Sequence, residues 1–185
     1  YASNDYLGLA QSPVLRSAAL AAVAESGVGA TASALVCGRT PAHARLEAAL
    51  AAFEQQPAAL LFPTGMAANT GTLAALIDAE DTIYCDRLNH ASLVDGCRLS
   101  GGKLRVYRHD RLDKLEDDLQ RPQSTGRRWI VTDTVFSMDG TLASLPELCD
   151  LAERYQAAVI VDEAHGTGVF GPQGRGVCAL QQVEE

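Results

Sequence analysis

The stretch that decides the fold is Ala157-Ala158-Val159-Ile160-Val161, which is followed directly by Asp162-Glu163-Ala164-His165-Gly166. Five consecutive apolar residues are typical of a strand buried on both faces, as in a parallel sheet covered by helices. Ligands of open α/β sheets bind beyond the carboxyl ends of such strands. The sequence therefore predicts that Asp162 lies where a carboxylate can meet a ligand, with His165 one turn further along the chain.

Strand patterns alternate with helical patterns along the rest of the chain. Short apolar runs predict strands over residues 58–62, 82–85, 104–107, 129–132 and 158–161. Helical spacing or an Ala-rich composition predicts helices over residues 13–25, 41–53, 66–76, 91–99, 112–119 and 146–155. This alternation indicates an α/β fold with three layers, α/β/α, around a mainly parallel sheet.

Composition restricts the classes of function. The chain is 47% apolar and 21% charged, which is ordinary for a globular protein, and its net charge of -8 argues against nucleic-acid binding. No apolar run approaches the ~20 residues that cross a membrane. The five cysteines form no C-x-x-C pair, which gives no metal motif and fits a reducing compartment. We therefore expect a cytoplasmic protein that binds neither nucleic acid nor membrane.

An aspartate at the end of a strand, such as Asp162, suits two reactions. It can pair with the protonated pyridine nitrogen of pyridoxal phosphate (PLP), or it can hold magnesium in a nucleotide hydrolase. A hydrolase of that kind needs a G-x-x-x-x-G-K-[ST] loop. The only Gly-Lys pair, Gly102-Lys103, is followed by Leu104, and Cys97 stands in place of the first glycine. The hydrolase alternative therefore requires a phosphate loop that precedes Tyr1.

Three other segments place polar groups at predicted strand ends or turns. Gly65 and Met66 begin a helix after a strand, where unpaired amides favour an anion such as phosphate, although an ordinary turn is the alternative. His90 follows another strand, so its ring suits stacking on a planar ligand or proton transfer, unless Asn89 caps the helix and leaves His90 merely exposed. Ser137 lies in a turn-forming stretch, where its hydroxyl serves either a ligand or the backbone.

Six segments, taken in order, resemble the α-oxoamine synthases, which are PLP-dependent enzymes of the aspartate aminotransferase fold (fold type I). They are Asn4 through Leu9, Cys37-Gly38-Arg39-Thr40 with His43 and Leu46-Glu47, Thr64 through Asn69, Asp86 through Ser92, Val135 through Gly140, and Val161 through Gly171. Together they span essentially the whole chain. The resemblance implies that residues 1–30 form an N-terminal arm and helix on the dimer and substrate side. Residues 31–185 would be part of the PLP-binding major domain, without the family's C-terminal domain.

The resemblance also implies which residues hold the cofactor. Asp162 would bind the pyridine nitrogen of PLP and keep it protonated. His165 would hydrogen-bond the phenolic oxygen, with Ser137 nearby. The amides of Gly65 and Met66 would hold the phosphate group.

Catalysis and substrate binding are implied for a second, overlapping set of residues. His90 would stack over the ring of PLP and contact the substrate, so His90, Asp162 and His165 are the implied catalytic residues. Asn4 would line the substrate site across the interface of a homodimer. The Schiff-base lysine of the family has no match, since Lys103 and Lys114, the two lysines of the chain, lie outside the matching segments. We expect this chain to be inactive by itself.

The implied reaction is the decarboxylative condensation of an amino acid with an acyl thioester. Segments 89–100 and 168–176 favour the family member that joins L-alanine to a pimeloyl thioester, on CoA or a carrier protein, in biotin biosynthesis. Sister synthases that use glycine share much of the pattern and remain an alternative. A non-catalytic relative is a further alternative, because the lysine has no match.

Overall fold

The computed structural model describes residues 3–122 and 125–184 of the chain. The chain divides into two units, Tyr1–Leu61 and Phe62–Glu185. The boundary expected at residue 30, between an arm and a larger domain, stays a prediction. Within the described residues, no helix combines the length and apolar character that a membrane crossing requires.

The first unit contains two α-helices, α1 (Pro13–Ser26) and α2 (Pro41–Phe53), each within one residue of its predicted bounds. A 3-10 turn, Leu9–Gln11, precedes α1, and one turn of π-helix, Ala34–Gly38, precedes α2. Most side chains of this unit are exposed to solvent. The unit therefore has almost no buried core of its own.

His43 stabilises the start of α2. Its Nδ1 accepts a hydrogen bond from the amide of Thr40 at 3.2 Å and lies 2.8 Å from Thr40 Oγ1. This is the reciprocal arrangement of a capping box, in which the third helical residue reaches back to the residue before the helix. His43 thus has a local structural role at the start of α2.

The second unit is built on a four-stranded sheet in which all neighbouring strands are parallel. Its strands are β1 (Thr82–Asp86), β2 (Lys103–Tyr107), β3 (Arg128–Asp133) and β4 (Ala157–Asp162), in the spatial order β2-β1-β3-β4. Its helices are α3 (Gly65–Leu76), α4 (Ala91–Leu99), α5 (Leu112–Leu119), α6 (Leu145–Tyr155) and α7 (Gly176–Gln181). These four strands and the helices α3 to α6 lie within one residue of their predicted bounds, and α7 was not predicted.

Helices cover both faces of this sheet, which confirms the predicted three-layer α/β/α fold. On one face, Ile83 and Cys85 of β1 pack with Leu73 of α3 and with α4. On the other face, Tyr84 of β1 and Ile130 of β3 pack with α5, α6 and α7. Alternate residues of the two central strands therefore serve two separate cores, as the period-2 geometry of a strand requires.

Residues 58–62 form no strand, so that prediction is wrong. A strand is stabilised by a neighbour that completes its backbone hydrogen bonds, and no strand among the described residues pairs with this segment. Leu60 is 74% exposed. The apolar run thus has the sequence pattern of a strand, but no described strand forms backbone hydrogen bonds with it.

The prediction that the 157–161 strand is buried on both faces is also wrong. In the described sheet β4 is the outermost strand and pairs only with β3. Its residues are half-buried, and Ala158 is exposed. The continuous apolar run correctly indicated a parallel strand, but burial depends on neighbours that a local pattern does not reveal.

Candidate active site

Three parallel strands of the second unit end in aspartate at the same edge of the sheet. Asp86 ends β1, Asp133 ends β3 and Asp162 ends β4. Asp133 and Asp162 are register partners, so their Cα atoms are paired across the two strands. Only Asp162 was predicted as a site residue. The repeated strand-final aspartate is the sequence signal that would have identified Asp133.

Asp162 is held by two donors from different parts of the unit. Asn69 Nδ2, on the second turn of α3, donates to Asp162 Oδ2 at 2.7 Å, and the Ala164 amide donates to Oδ1 at 2.8 Å. The side chain is half-buried rather than sealed. Each carboxylate oxygen accepts one bond and has capacity for another. Asp162 is therefore a fixed, accessible acceptor for a cationic N–H group.

His90 is linked to Asp162 through a short chain of side chains. His90 Nδ1 lies 2.7 Å from Ser92 Oγ, and the same hydroxyl accepts a bond from Asn69 Nδ2 at 2.9 Å. The backbone amide of His90 donates to Asp133 Oδ2 at 2.7 Å. His90 is exposed although its Nδ1 side is fixed. The structure thus brings the predicted residues His90 and Asp162 together.

The alternative in which Asn89 caps α4 is wrong. His90 occupies the capping position, and its side chain accepts a hydrogen bond from the Ser92 amide. Asn89 is 8% exposed; its Nδ2 donates to the Val131 carbonyl at 2.7 Å and its Oδ1 accepts from the Asp133 amide at 2.9 Å. Asn89 therefore joins the loop after β1 to the end of β3.

Asp133 is the most electrostatically perturbed carboxyl group of this edge. It is 4% exposed, and burial raises its pKa to about 6. The nearby Asp162 carboxylate raises the pKa further, whereas the His90 amide and the His90 and His165 imidazoles lower it. His165, in the turn after β4, thus belongs to the same electrostatic cluster as Asp133, His90 and Asp162.

Gly65 and Met66 are the first residues of α3, the helix that supplies Asn69. The Thr64 hydroxyl caps this helix by accepting from the Ala67 amide at 3.1 Å. The amides of Gly65 and Met66 have no hydrogen-bond partner among the described residues, and both residues are exposed. Two free amides at the positive end of a helix suit an anion.

Ser137 is not connected to this cluster by any hydrogen bond within the described parts of the chain. Ser137 is exposed in the turn after β3, which the Gly140 amide closes onto the Phe136 carbonyl at 2.7 Å. Asn4 belongs to the first unit, where its side chain accepts from the Tyr6 hydroxyl at 3.4 Å. Their roles in cofactor and substrate binding stay predictions.

Glu163 follows Asp162 and has a supporting role that was not predicted. Its carboxylate accepts from the Thr134 hydroxyl at 2.9 Å and from the Cys178 amide at 2.8 Å. A Cβ at Gly176 would lie 2.7 Å from this carboxylate, and the φ of Gly176 is +89°. Only glycine suits that position. Glu163 therefore ties the end of β4 to the start of α7.

The arrangement can bind a planar, doubly charged ligand. Asp162 offers a carboxylate to a cationic ring nitrogen, the start of α3 offers amides to an anionic group, and His90 offers an exposed ring for stacking. The sheet edge, the helix start and the loop after β1 converge because Asn69 donates hydrogen bonds to both Ser92 and Asp162.

The whole chain, residues 1–185, matches the family model described as aminotransferase class I and II. The chain belongs to this family. Among solved members of related fold, the serine palmitoyltransferase of Sphingomonas wittichii superposes with a TM-score of 0.94 at 35% identity, covering 97% of this chain and 45% of that one. The 8-amino-7-oxononanoate synthase of Francisella tularensis gives a TM-score of 0.82 at 32% identity, covering 98% and 49%. The fold is therefore that of PLP-dependent fold type I enzymes.

Two curated proteins are more similar to this chain in sequence than these two solved structures are. The 8-amino-7-oxononanoate synthase of Acidithiobacillus ferrooxidans is 52% identical over 179 residues, which is 97% of this chain and 46% of that protein. The enzyme of the same name from Citrifermentans bemidjiense is 53% identical over 174 residues, 94% and 44% of the two chains. The chain thus spans about half the length of the curated relatives it matches.

Proposed function

We propose that this chain is part of a PLP-dependent acyltransferase that condenses L-alanine with a pimeloyl thioester, releasing CO2 and the thiol, to form 8-amino-7-oxononanoate. The observation that carries the proposal is Asp162, held by Asn69 at the carboxyl edge of the sheet and linked through Ser92 to His90. The names of relatives at about half identity supply the product, and the resemblance to the α-oxoamine synthases supplies the two substrates. A solved serine palmitoyltransferase with bound PLP supports the cofactor.

The residues present fit PLP. Asp162 would accept a hydrogen bond from the pyridinium N–H, and the amides of Gly65 and Met66 would bind the phosphate. His90 would stack on the ring and touch substrate, while His165 and Ser137 would bind the phenolic oxygen. When bound, PLP supplies an electron sink for carbanion chemistry. The Asp162 carboxylate would keep the pyridine nitrogen protonated, which would sustain that capacity.

Neither lysine of the chain offers an amine to this cluster. Lys103 lies 3.9 Å from Glu80 and Lys114 lies 2.8 Å from Asp117, and both lysine side chains are more than half exposed. Without an amine there is no covalent anchor for PLP and no base for the α-proton of alanine. We expect the purified 185-residue chain to show no condensation of alanine with pimeloyl-CoA. Measurable product formation by this chain would contradict the assigned roles.

The choice of substrates is tested by competition in the full-length protein. Alanine is compared with glycine as the amino acid, and pimeloyl-CoA with acetyl-CoA and succinyl-CoA as the acyl donor, by the kcat/KM of CoA release. We expect the alanine and pimeloyl pair to be preferred by at least about tenfold, or ~1.4 kcal/mol. Preference for glycine would favour a sister synthase. A comparison of pimeloyl-CoA with pimeloyl carrier protein as the acyl donor shows which thioester the enzyme prefers.

A homodimer with Asn4 at the substrate site is part of the proposal. In the first unit, Val28, Leu35 and Val36 are 94%, 95% and 76% exposed, and a partner subunit would cover such apolar side chains. The mass in solution, from light scattering, tests the dimer. Mixed dimers of Asn4→Ala and His90→Ala subunits test the shared site. Recovery of activity in about a quarter of the sites, as random pairing requires, supports it, and an absence of recovery contradicts it.

A further inference from the structure

The side chain of Asp133 has no place in the roles assigned so far, yet it lies at the centre of the cluster. Its Oδ2 accepts the His90 amide at 2.7 Å, and its Cα is the register partner of Asp162. The side chain is almost completely buried. A carboxyl group in such a place loses hydration, and a single close donor replaces only part of it.

Asp133 and Asn89 form a reciprocal clamp around the loop that carries His90. The Asp133 carboxylate holds the amide of His90, while the Asn89 side chain accepts the amide of Asp133 and donates to the Val131 carbonyl. These three bonds join the loop to the last three residues of β3. The rigid strand thereby sets the backbone position of His90, which would otherwise be set only by a loop.

We propose that Asp133 is a positioning residue that fixes His90 over the ligand site and that the ionisation of its carboxyl group makes this positioning dependent on pH. The proposal rests on the proposed function only for what His90 contacts. Asp133 touches neither substrate nor cofactor in this account and acts through the backbone of His90.

Electrostatics explain why the contact is sensitive to pH. An ionised carboxylate makes a charge-assisted bond to the amide, and a protonated carboxyl makes a weaker one. The charged and titratable groups around Asp133 are Asp162 on β4, His165 after β4, His90 before α4 and the Cys85 thiol on β1. Asp162 opposes ionisation and the two imidazoles favour it. A bound cation at Asp162 would reduce that opposition, so ligand binding would strengthen the hold on His90.

Asp86 provides a matched control at the end of β1. Its Oδ1 accepts the Leu88 amide at 2.9 Å, and its Oδ2 lies 3.0 Å from His109 Nδ1. Like Asp133, it is a buried, strand-final aspartate that holds a loop amide. Unlike Asp133, it bonds His109 rather than the loop position of His90. Asp86→Asn and Asp133→Asn thus remove the same charge from neighbouring strand ends.

The experiment follows the backbone amide resonances of His90 and Leu88 against pH in 15N-labelled protein. In the wild type we expect the His90 amide to titrate with a midpoint of about 6. In Asp133→Asn the amplitude of this titration should fall, because the amide side chain does not ionise, while the bond to His90 can still form. Any step that remains comes from the imidazole of His90 itself. Asp86→Asn should alter the Leu88 amide and leave the His90 titration in place. A wild-type His90 amide that does not titrate between pH 5 and 7, or one that titrates unchanged in Asp133→Asn, overturns the proposal.

A second readout separates this inference from the proposed function. In full-length protein loaded with PLP, the visible circular dichroism of the bound cofactor should change in Asp133→Asn and stay unchanged in Asp86→Asn. Failure of the wild type to bind PLP would contradict the proposed function and leave the amide titration standing. Normal PLP binding together with a His90 amide resonance that does not change with pH would contradict only the role of Asp133.

Discussion

Asp81 at the amino end of the sheet and Asp133 at the carboxyl end are both buried, and they have opposite surroundings. At the amino ends of the strands, Asp81 accepts bonds from the Arg127 amide at 2.7 Å, the Trp129 indole at 2.9 Å and the Asp78 amide at 3.1 Å. At the carboxyl ends, Asp133 accepts one close amide and faces a second carboxylate.

The pKa values of the two groups record this difference. Burial acts to raise the pKa of Asp81, but the bonds from Arg127, Trp129 and Asp78 outweigh it and lower the pKa to about 2. Burial raises that of Asp133 to about 6. A carboxylate supplied with donors stabilises the fold, and one placed against like charge does so only when protonated. The amino ends are thus built for stability and the carboxyl ends for binding.

Asp162→Asn gives the largest effect that the comparison predicts. In the full-length protein we expect kcat to fall by about a thousandfold or more, or ~4 kcal/mol, because an amide cannot balance a pyridinium charge. Stability should change little, and PLP should remain partly bound through the amides at the start of α3. Steady-state kinetics measure kcat, and cofactor absorbance measures the PLP that remains bound. Near-normal kcat would remove Asp162 from the proposed mechanism.

Asp81→Ala tests the opposite end of the sheet. Removing the carboxylate leaves the Trp129 indole and the Arg127 amide without their acceptor, so we expect unfolding to become easier by about 3 kcal/mol. Urea denaturation measures the loss. The kcat of the folded fraction should stay within about twofold of the wild type, ~0.4 kcal/mol. A large fall in kcat with unchanged stability would reverse the assignment of the two ends.

The pH dependence of stability should have opposite signs at the two sites. The folded pKa of Asp133, about 6, exceeds its usual 3.8, so its contribution is greatest at low pH and declines by about 2 kcal/mol as the pH rises from 4 to 6. The folded pKa of Asp81, about 2, is below 3.8, so its contribution of about 2 kcal/mol is present above pH 4 and is lost as the pH falls towards 2.

The measurement is the free energy of unfolding against pH for Asp133→Asn and Asp81→Asn. The difference between wild type and Asp133→Asn should change between pH 4 and 6, and that for Asp81→Asn below pH 4. If the free energy of unfolding depends on pH in the same way in both variants, the two ends of the sheet do not differ in the way proposed.

His90→Ala should give the smallest effect of these substitutions. It tests how the carboxyl ends of the strands orient a bound cofactor. The loss of an exposed ring should weaken PLP retention and reduce kcat/KM by about thirtyfold, or ~2 kcal/mol. The reason is that PLP would be oriented less firmly, while its electronic properties would stay the same. His43→Ala is the control, since it should weaken the cap of α2 by about 1 kcal/mol and leave the absorbance of bound PLP unchanged. Similar spectra in the two variants would contradict the placement of His90.

The sequence predicts what is local in this molecule. Helix and strand bounds followed from periodicity, and the positions of Asp162 and His90 followed from the rule that parallel strands end at a ligand-binding edge. The segment 58–62 failed because pairing is not local. The role of Asn89 was missed for the same reason, since its partner, the Val131 carbonyl, lies 42 residues further along the chain. The exposure of β4 likewise depends on which strands lie beside it.

The resemblance to a family predicted more of the site residues than periodicity did, but it did not predict every contact. It named Asp162, His90 and His165, which the structure groups with one another. It carried no information on Asp133, whose importance comes from burial and from the charge of a register partner. Burial and charge crowding are properties of the folded sheet, so a single sequence does not report them.

The outer edge of β4 has a consequence for handling the protein. Among the described strands, β4 pairs on one side only, and its residues from Ala157 to Val161 are all apolar. The opposite edge, β2, carries Lys103 and Arg105, charges of the kind that discourage further strand addition. A concentrated solution of this chain should therefore self-associate through β4, with light scattering that rises with concentration. A lysine substituted at the exposed Ala158 should suppress that association.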